Sequence, residues 1–128
     1  MQSFADLAAS RREWIDTVLK PWCRQASRRE LLKAEADWAN VAGQVAPEKT
    51  LWVWAWGRFP ELVDEELASL NETREVIVTL SDERSFRGYP DARQSLQGEL
   101  MLVSRDEAGG AMDVGPFSID AVVAVTAS

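Results

Sequence analysis

Apolar residues fall at helical spacing near the start of the chain. Phe4, Leu7, Ala8, Trp14, Ile15, Val18 and Leu19 share one face over residues 4–20. Arg11 sits on that stripe and needs a partner or a route to solvent. Pro21 follows, and the residue before a proline resists helical geometry, so the helix is expected to end near Lys20. Ser27 and Glu30 then stand at the spacing of a capping box, with hydroxyl and carboxylate each meeting the other's backbone N–H. They open a second helix whose buried stripe is Leu31, Ala34, Trp38, Val41, Ala42 and Val45, with Gly43 as a left-handed stop. Two amphipathic helices on a short link predict an antiparallel pair.

The period changes over Thr50–Trp56. Trp52, Trp54 and Trp56 alternate with Leu51, Val53 and Ala55, which predicts a strand with no polar face. Gly57 breaks it. Pro60 is expected to open a short helix reaching Leu70. That helix would turn Leu62, Val63, Leu67 and Leu70 inward and Glu61, Asp64, Glu65 and Glu66 mostly outward. From Arg74 the spacing is two. Glu75–Leu80, Ser85–Gly88, Glu99–Ser104, Val114–Ile119 and Val122–Thr126 read as short strands. Ser81–Arg84 and Ala108–Ala111 read as tight turns, and Pro90–Gln97 as a polar loop. Short strands on tight turns favour a small, bent antiparallel sheet or barrel.

The fold class that follows is α+β: a helical pair and a tryptophan-rich strand packed on a small bent sheet. A length of 128 residues suits one domain, mainly helical over 1–72 and β over 73–128. No apolar run approaches the roughly 18 residues of a membrane span. The first residues lack the order of a signal peptide, so a cytoplasmic location is expected. The single cysteine, Cys23, excludes an intrachain disulfide and a multi-cysteine zinc site. With 0 histidines, Ser-His-Asp and Cys-His catalysis and most zinc and copper sites are excluded. No cofactor is expected.

Charge is unevenly spread. Residues 1–50 carry 8 basic and 7 acidic side chains, whereas residues 51–128 carry 6 basic and 14 acidic ones. The acidic second half disfavours contact with a phosphate backbone and favours a protein partner.

Residues Val76–Gly88, VIVTLSDERSFRG, form an alternating strand, a polar turn and an apolar residue two before a glycine. Phe117–Val125, FSIDAVVAV, forms a pair of short strands with an apolar crossing. Together these resemble the Sm-like small-barrel superfamily, which includes RNA chaperones of the Hfq type and an acidic Rho-binding antiterminator whose partner is a protein. The resemblance implies a small barrel over the last 53 residues. Three departures stand beside it: a longer stretch after Gly88 carrying Pro90, Asp91 as the sole counterpart of an RNA-contacting loop, and Asp120 where Hfq-type proteins show a basic residue or histidine. The acidic, protein-binding members fit the composition better than an RNA ring.

Each candidate site carries a plain structural alternative. The tryptophan row could stack on sugars or bases, or serve self-association in a homo-oligomer, but burial beside Trp14 and Trp38 is the reading favoured. Arg24, Arg28, Arg29 and Lys33 form a candidate anion-binding cluster, against a solvated helix face balanced by Glu30 and Glu35. Tyr89, Asp91, Arg93 and Gln94 form a candidate partner-binding patch on the loop after the second strand, since binding residues concentrate on loops. Asp64, Glu65 and Glu66 read as a solvated acidic face, and Cys23 as a small apolar residue. The expectation is a non-catalytic intracellular interaction module. RNA binding through the basic cluster is the first alternative. A carboxylate-dependent hydrolase is the second, and it requires a pocket with two convergent carboxylates, one with a raised pKa.

Overall fold

The computed structural model describes residues 3–42 and 45–128. The side chains of Phe4 and Ala42, and Gly43 with its expected helix stop, lie outside the described residues. The first helix runs further than Pro21 would suggest. α1 (Phe4–Trp14) passes through one wide π-type turn, Ile15–Leu19, into α2 (Lys20–Gln25). In that turn the Lys20 N–H reaches back five residues to the Ile15 carbonyl. Pro21 then falls in the first turn of α2, directly after the wide turn. The expected end at Lys20 is corrected to Gln25. Leu19 and Cys23 are buried and Ile15 partly so, whereas Leu7, Trp14 and Val18 are exposed. The inward face is thus narrower than the apolar stripe.

α3 (Arg28–Ala36) opens on the expected capping box. The Ser27 hydroxyl accepts from the Glu30 N–H at 3.2 Å, and the Glu30 carboxylate accepts from the Ser27 N–H at 3.1 Å. A break at Asp37 separates α3 from α4 (Trp38–Ala42). Leu31 and Trp38 carry the burial, while Val45 is exposed. Arg11 finds its partner here: its guanidinium donates to the Val41 carbonyl at 2.9 Å. That contact suits a chain that turns at Ala26 and returns along itself.

The largest correction concerns the tryptophan run. Leu51–Trp56 is a helix, α5, and not a strand. A 3₁₀ turn at Pro47–Lys49 leads into it, and the Trp54 N–H donates to the Thr50 carbonyl at 2.8 Å. Leu51, Trp52, Val53, Ala55 and Trp56 are buried, so the backbone must satisfy its own polar groups, and a helix does that without a neighbouring strand. A short run that is apolar throughout carries no period to separate the two forms. The expected burial does hold for Trp52 and Trp56, each 2% exposed, and Trp54 packs edge-on to Trp38 at 5.9 Å. It fails for Trp14, which is 42% exposed.

The expected helix from Pro60 is also absent. Pro60–Leu62 is a single 3₁₀ turn, followed by a two-stranded ribbon of β1 (Val63–Asp64) and β2 (Ser69–Leu70). The Asp64 carboxylate accepts from the Glu66 and Leu67 N–H groups, which turns the chain instead of continuing a helix. Leu62 and Leu70 are buried as expected, while Leu67 points out and is 73% exposed.

The second half follows the alternation closely. β3 (Val76–Leu80), β4 (Ser85–Pro90), β5 (Glu99–Arg105), β6 (Ala111–Ser118) and β7 (Val122–Ala127) form one antiparallel sheet in the order β6-β5-β4-β3-β7. The last strand returns beside the first. Register shifts at Thr79/Leu80 and Leu100/Leu102 bend the sheet. It stays open and does not close into a barrel, which corrects that alternative. Val76, Val78, Leu80, Leu100, Leu102 and Val122 point inward and share one core with Leu31, Leu51, Trp52, Ala55, Trp56 and Leu62. The fold is therefore α+β, with the helices laid on one face of the sheet.

Candidate functional site

The loop after β4 is built by a few hydrogen bonds. The Asp91 N–H donates to the Met101 carbonyl at 2.9 Å and the Ser95 N–H to the Asp91 carbonyl at 3.0 Å. Buried Ser95 then clamps β5, accepting from the Met101 N–H at 2.8 Å and donating to its carbonyl at 3.2 Å. Glu72 holds the outer side, accepting from the Ala92 N–H at 3.1 Å. Asp91 caps the turn: its carboxylate accepts from the Arg93 and Gln94 N–H groups and from the Gln94 amide at 2.8 Å. The Gln94 side chain, with help from those N–H groups, holds the Asp91 carboxyl below the usual range, so it is a fixed negative charge.

This scaffold brings three of the four partner-binding candidates together. Tyr89, Asp91 and Arg93 line an open groove of about 660 Å³ with Glu72, Pro90, Ala92 and Val103. Tyr89 is 42% exposed and pairs across the ladder with Val103. Gln94 does something else. Its amide is shared between Asp91 and, at 3.2 Å, Asp113 of β6, so it positions the loop against the sheet. On the other side of the Tyr89–Val103 pair a second groove is walled by Glu75, Arg87, Ser104 and Arg105. Glu72 and Val103 were not among the sequence candidates. Both come from distant segments, and only the sheet order places them beside Tyr89.

Three of the four anion-binding candidates, Arg28, Arg29 and Lys33, come together, and Arg24 stands apart. Arg29 and Lys33 line a shallow cleft with Arg28, Leu32, Ser118 and Asp120, while Arg24 lines a different one with Lys20, Trp54 and Glu65. Arg28 is committed to structure. Its Nε donates to the Gln97 carbonyl at 2.8 Å, its Nη2 lies 3.3 Å from Glu99, and its N–H is capped by Asp120 at 2.9 Å. An anion in that cleft would meet the Asp120 carboxylate.

For carboxylate chemistry, Glu48 is the relevant group. Burial raises its pKa, with the Glu35 charge adding to the effect. Glu48 lines a cleft beside α5, but Glu35 is turned away, accepting from the Trp52 indole N–H and from the Gln97 amide at 2.7 Å. One carboxylate faces that cleft where the hydrolase reading needs two. Among the described residues no group of three Asp, Glu or Cys side chains is placed to hold a metal ion, and no helix is long and apolar enough to cross a membrane. No family model, curated protein or solved structure matches this chain.

Proposed function

We propose that this chain is a non-catalytic, cytoplasmic interaction module that takes a basic segment of a protein partner into the groove beside Tyr89. The observation that carries this reading is the convergence of an exposed tyrosine and the carboxylates of Glu72 and Asp91, with Arg93 beside them, on one open groove. Tyrosine supplies contact area with little rotamer entropy, and rim carboxylates steer a cationic partner. The tryptophan run gives no support, because Trp52 and Trp56 lie in the core. The sheet is open where the Sm-like resemblance implies a closed barrel, so the reading rests on the groove and not on that resemblance. RNA binding is the weaker reading, since Arg28 is spent on Gln97 and Glu99.

A photo-crosslinking amino acid at position 89 tests the reading in cells. The expected product is a protein adduct whose crosslinked peptide is rich in Lys or Arg and which is absent when the crosslinker sits at Val123. An adduct abolished by ribonuclease, or none at all, would reject it.

A further inference from the structure

We propose that the cleft between α5 and the β1–β2 ribbon binds a small organic ammonium ion, a protonated amine on a compact apolar body. The cleft holds about 220 Å³, below the usual range for drug-sized ligands, which limits the occupant to a small molecule. Its walls are mostly apolar, Trp52, Trp56, Val53, Leu70 and Ala92 among them, with Ser69 and Ser95 as polar members. Trp52 and Trp56 are one helical turn apart and both border the cleft, each 2% exposed. One carboxylate, Glu48, stands at the edge.

The state of Glu48 points to a cation. Its only hydrogen bond among the described residues is a long one, accepted from the Gln97 N–H at 3.3 Å. No cationic side chain among the described residues pairs with it. The adjacent Lys49 also lines the cleft, but its side chain is exposed. Glu35 adds negative potential from behind and has its own partners in Trp52 and Gln97. A half-buried carboxylate with one weak partner is an unfavourable arrangement that an ammonium group would relieve. The apolar part of the lining favours a hydrocarbon body through contact area. A carboxylate or phosphate ligand would be repelled by both Glu48 and Glu35, and a neutral apolar one would leave Glu48 as it is.

The test uses the full chain and three isosteric probes at pH 7.5: benzylamine, benzyl alcohol and benzoate. Indole N–H resonances of Trp52 and Trp56 report occupancy. Benzylamine is expected to give saturable shifts at both indoles, with affinity about tenfold or more above benzyl alcohol, and benzoate none. Glu48→Gln should bring benzylamine down to the level of benzyl alcohol while leaving benzyl alcohol unchanged, with a native far-ultraviolet spectrum. Equal binding of amine and alcohol, no saturable shift, or full benzylamine affinity in Glu48→Gln would each overturn the proposal. Tyr89→Ala should leave benzylamine binding intact, so this site stands or falls apart from the groove.

Discussion

Arg58 and Ala26 lie 32 residues apart, and the guanidinium of the first donates to the carbonyl of the second at 2.7 Å. The same nitrogen reaches the Cys23 carbonyl at 2.8 Å, and Nε reaches the Ala55 carbonyl at 2.9 Å. One side chain thereby closes the C-terminal ends of α2 and α5, where helix carbonyls have no partner of their own and a positive charge is favoured.

Arg58→Met should therefore lower stability by about 2–4 kcal/mol, since three carbonyls lose a charged donor. Arg58→Lys should recover little, because one ammonium cannot span three acceptors as a planar fork does. Urea midpoints measure both. A loss below the scatter of surface variants would remove the clamp from the account.

Cys23 sits in the core beneath that clamp. Burial pushes its thiol up to about 11 from an ordinary 9.0, against the opposing pull of Arg58 and Arg24. The folded state keeps the proton that the unfolded state gives up. Stability from this group is complete below pH 9 and is lost as pH rises through 11. Native protein should resist thiol reagents until unfolded. Cys23→Ala should flatten the fall in urea midpoint over that window, and an unchanged slope would contradict the burial.

Glu48 gives a sign test at lower pH. Its folded pKa is raised, so its proton-linked stability is present in acid and is lost as pH rises through the folded value. Glu48→Gln should unfold at higher urea than the parent at pH 7, with the gap closing towards pH 4. A variant less stable at pH 7 would show that the carboxylate is held by a partner.

Two glycines separate steric from conformational demand. Gly98 and Gly109 have φ of +78° and +83°. A Cβ on Gly98 would lie 2.8 Å from the Trp52 ring, whereas one on Gly109 would meet nothing within 4 Å. Gly109→Ala should cost about 1–2 kcal/mol for the left-handed backbone alone. Gly98→Ala should cost clearly more, because the Trp52 indole is fixed in the core. Equal losses would mean that the ring yields.

The helix cap is the last stability test. Ser27→Ala should cost about 1 kcal/mol by freeing the Glu30 N–H. The Ser27 N–H also holds the Glu30 carboxyl below its ordinary 4.5, so the cap's charged half is present above that value and fades as pH falls through the folded one.

β3, β4 and β5 were legible because more and less buried positions alternate along them, as Val76, Val78 and Leu80 against the partly buried Ile77 and Thr79 show. The Ser27–Glu30 cap was legible for an equally local reason. Leu51–Trp56 was not, since apolar residues at every position erase the period. The error mattered for chemistry. On a strand Trp52, Trp54 and Trp56 share a face; on a helix Trp52 and Trp56 remain together while Trp54 is turned by about 200° towards Trp38. The cleft with Glu48 therefore had no signal in the alternation. Tyr89, Asp91 and Arg93 could be picked from a polar loop after a strand, but Glu72 and Val103 needed the strand order.

The groove beside Tyr89 is tested most directly by amide shifts on titration with a Lys/Arg-rich peptide carrying one apolar anchor. Saturable, salt-sensitive shifts centred on Tyr89, Asp91, Ala92, Arg93 and Val103 are expected. They should vanish in Tyr89→Ala while its urea midpoint stays unchanged. Shifts confined to Arg29 and Lys33, and raised by RNA in place of peptide, would contradict the account.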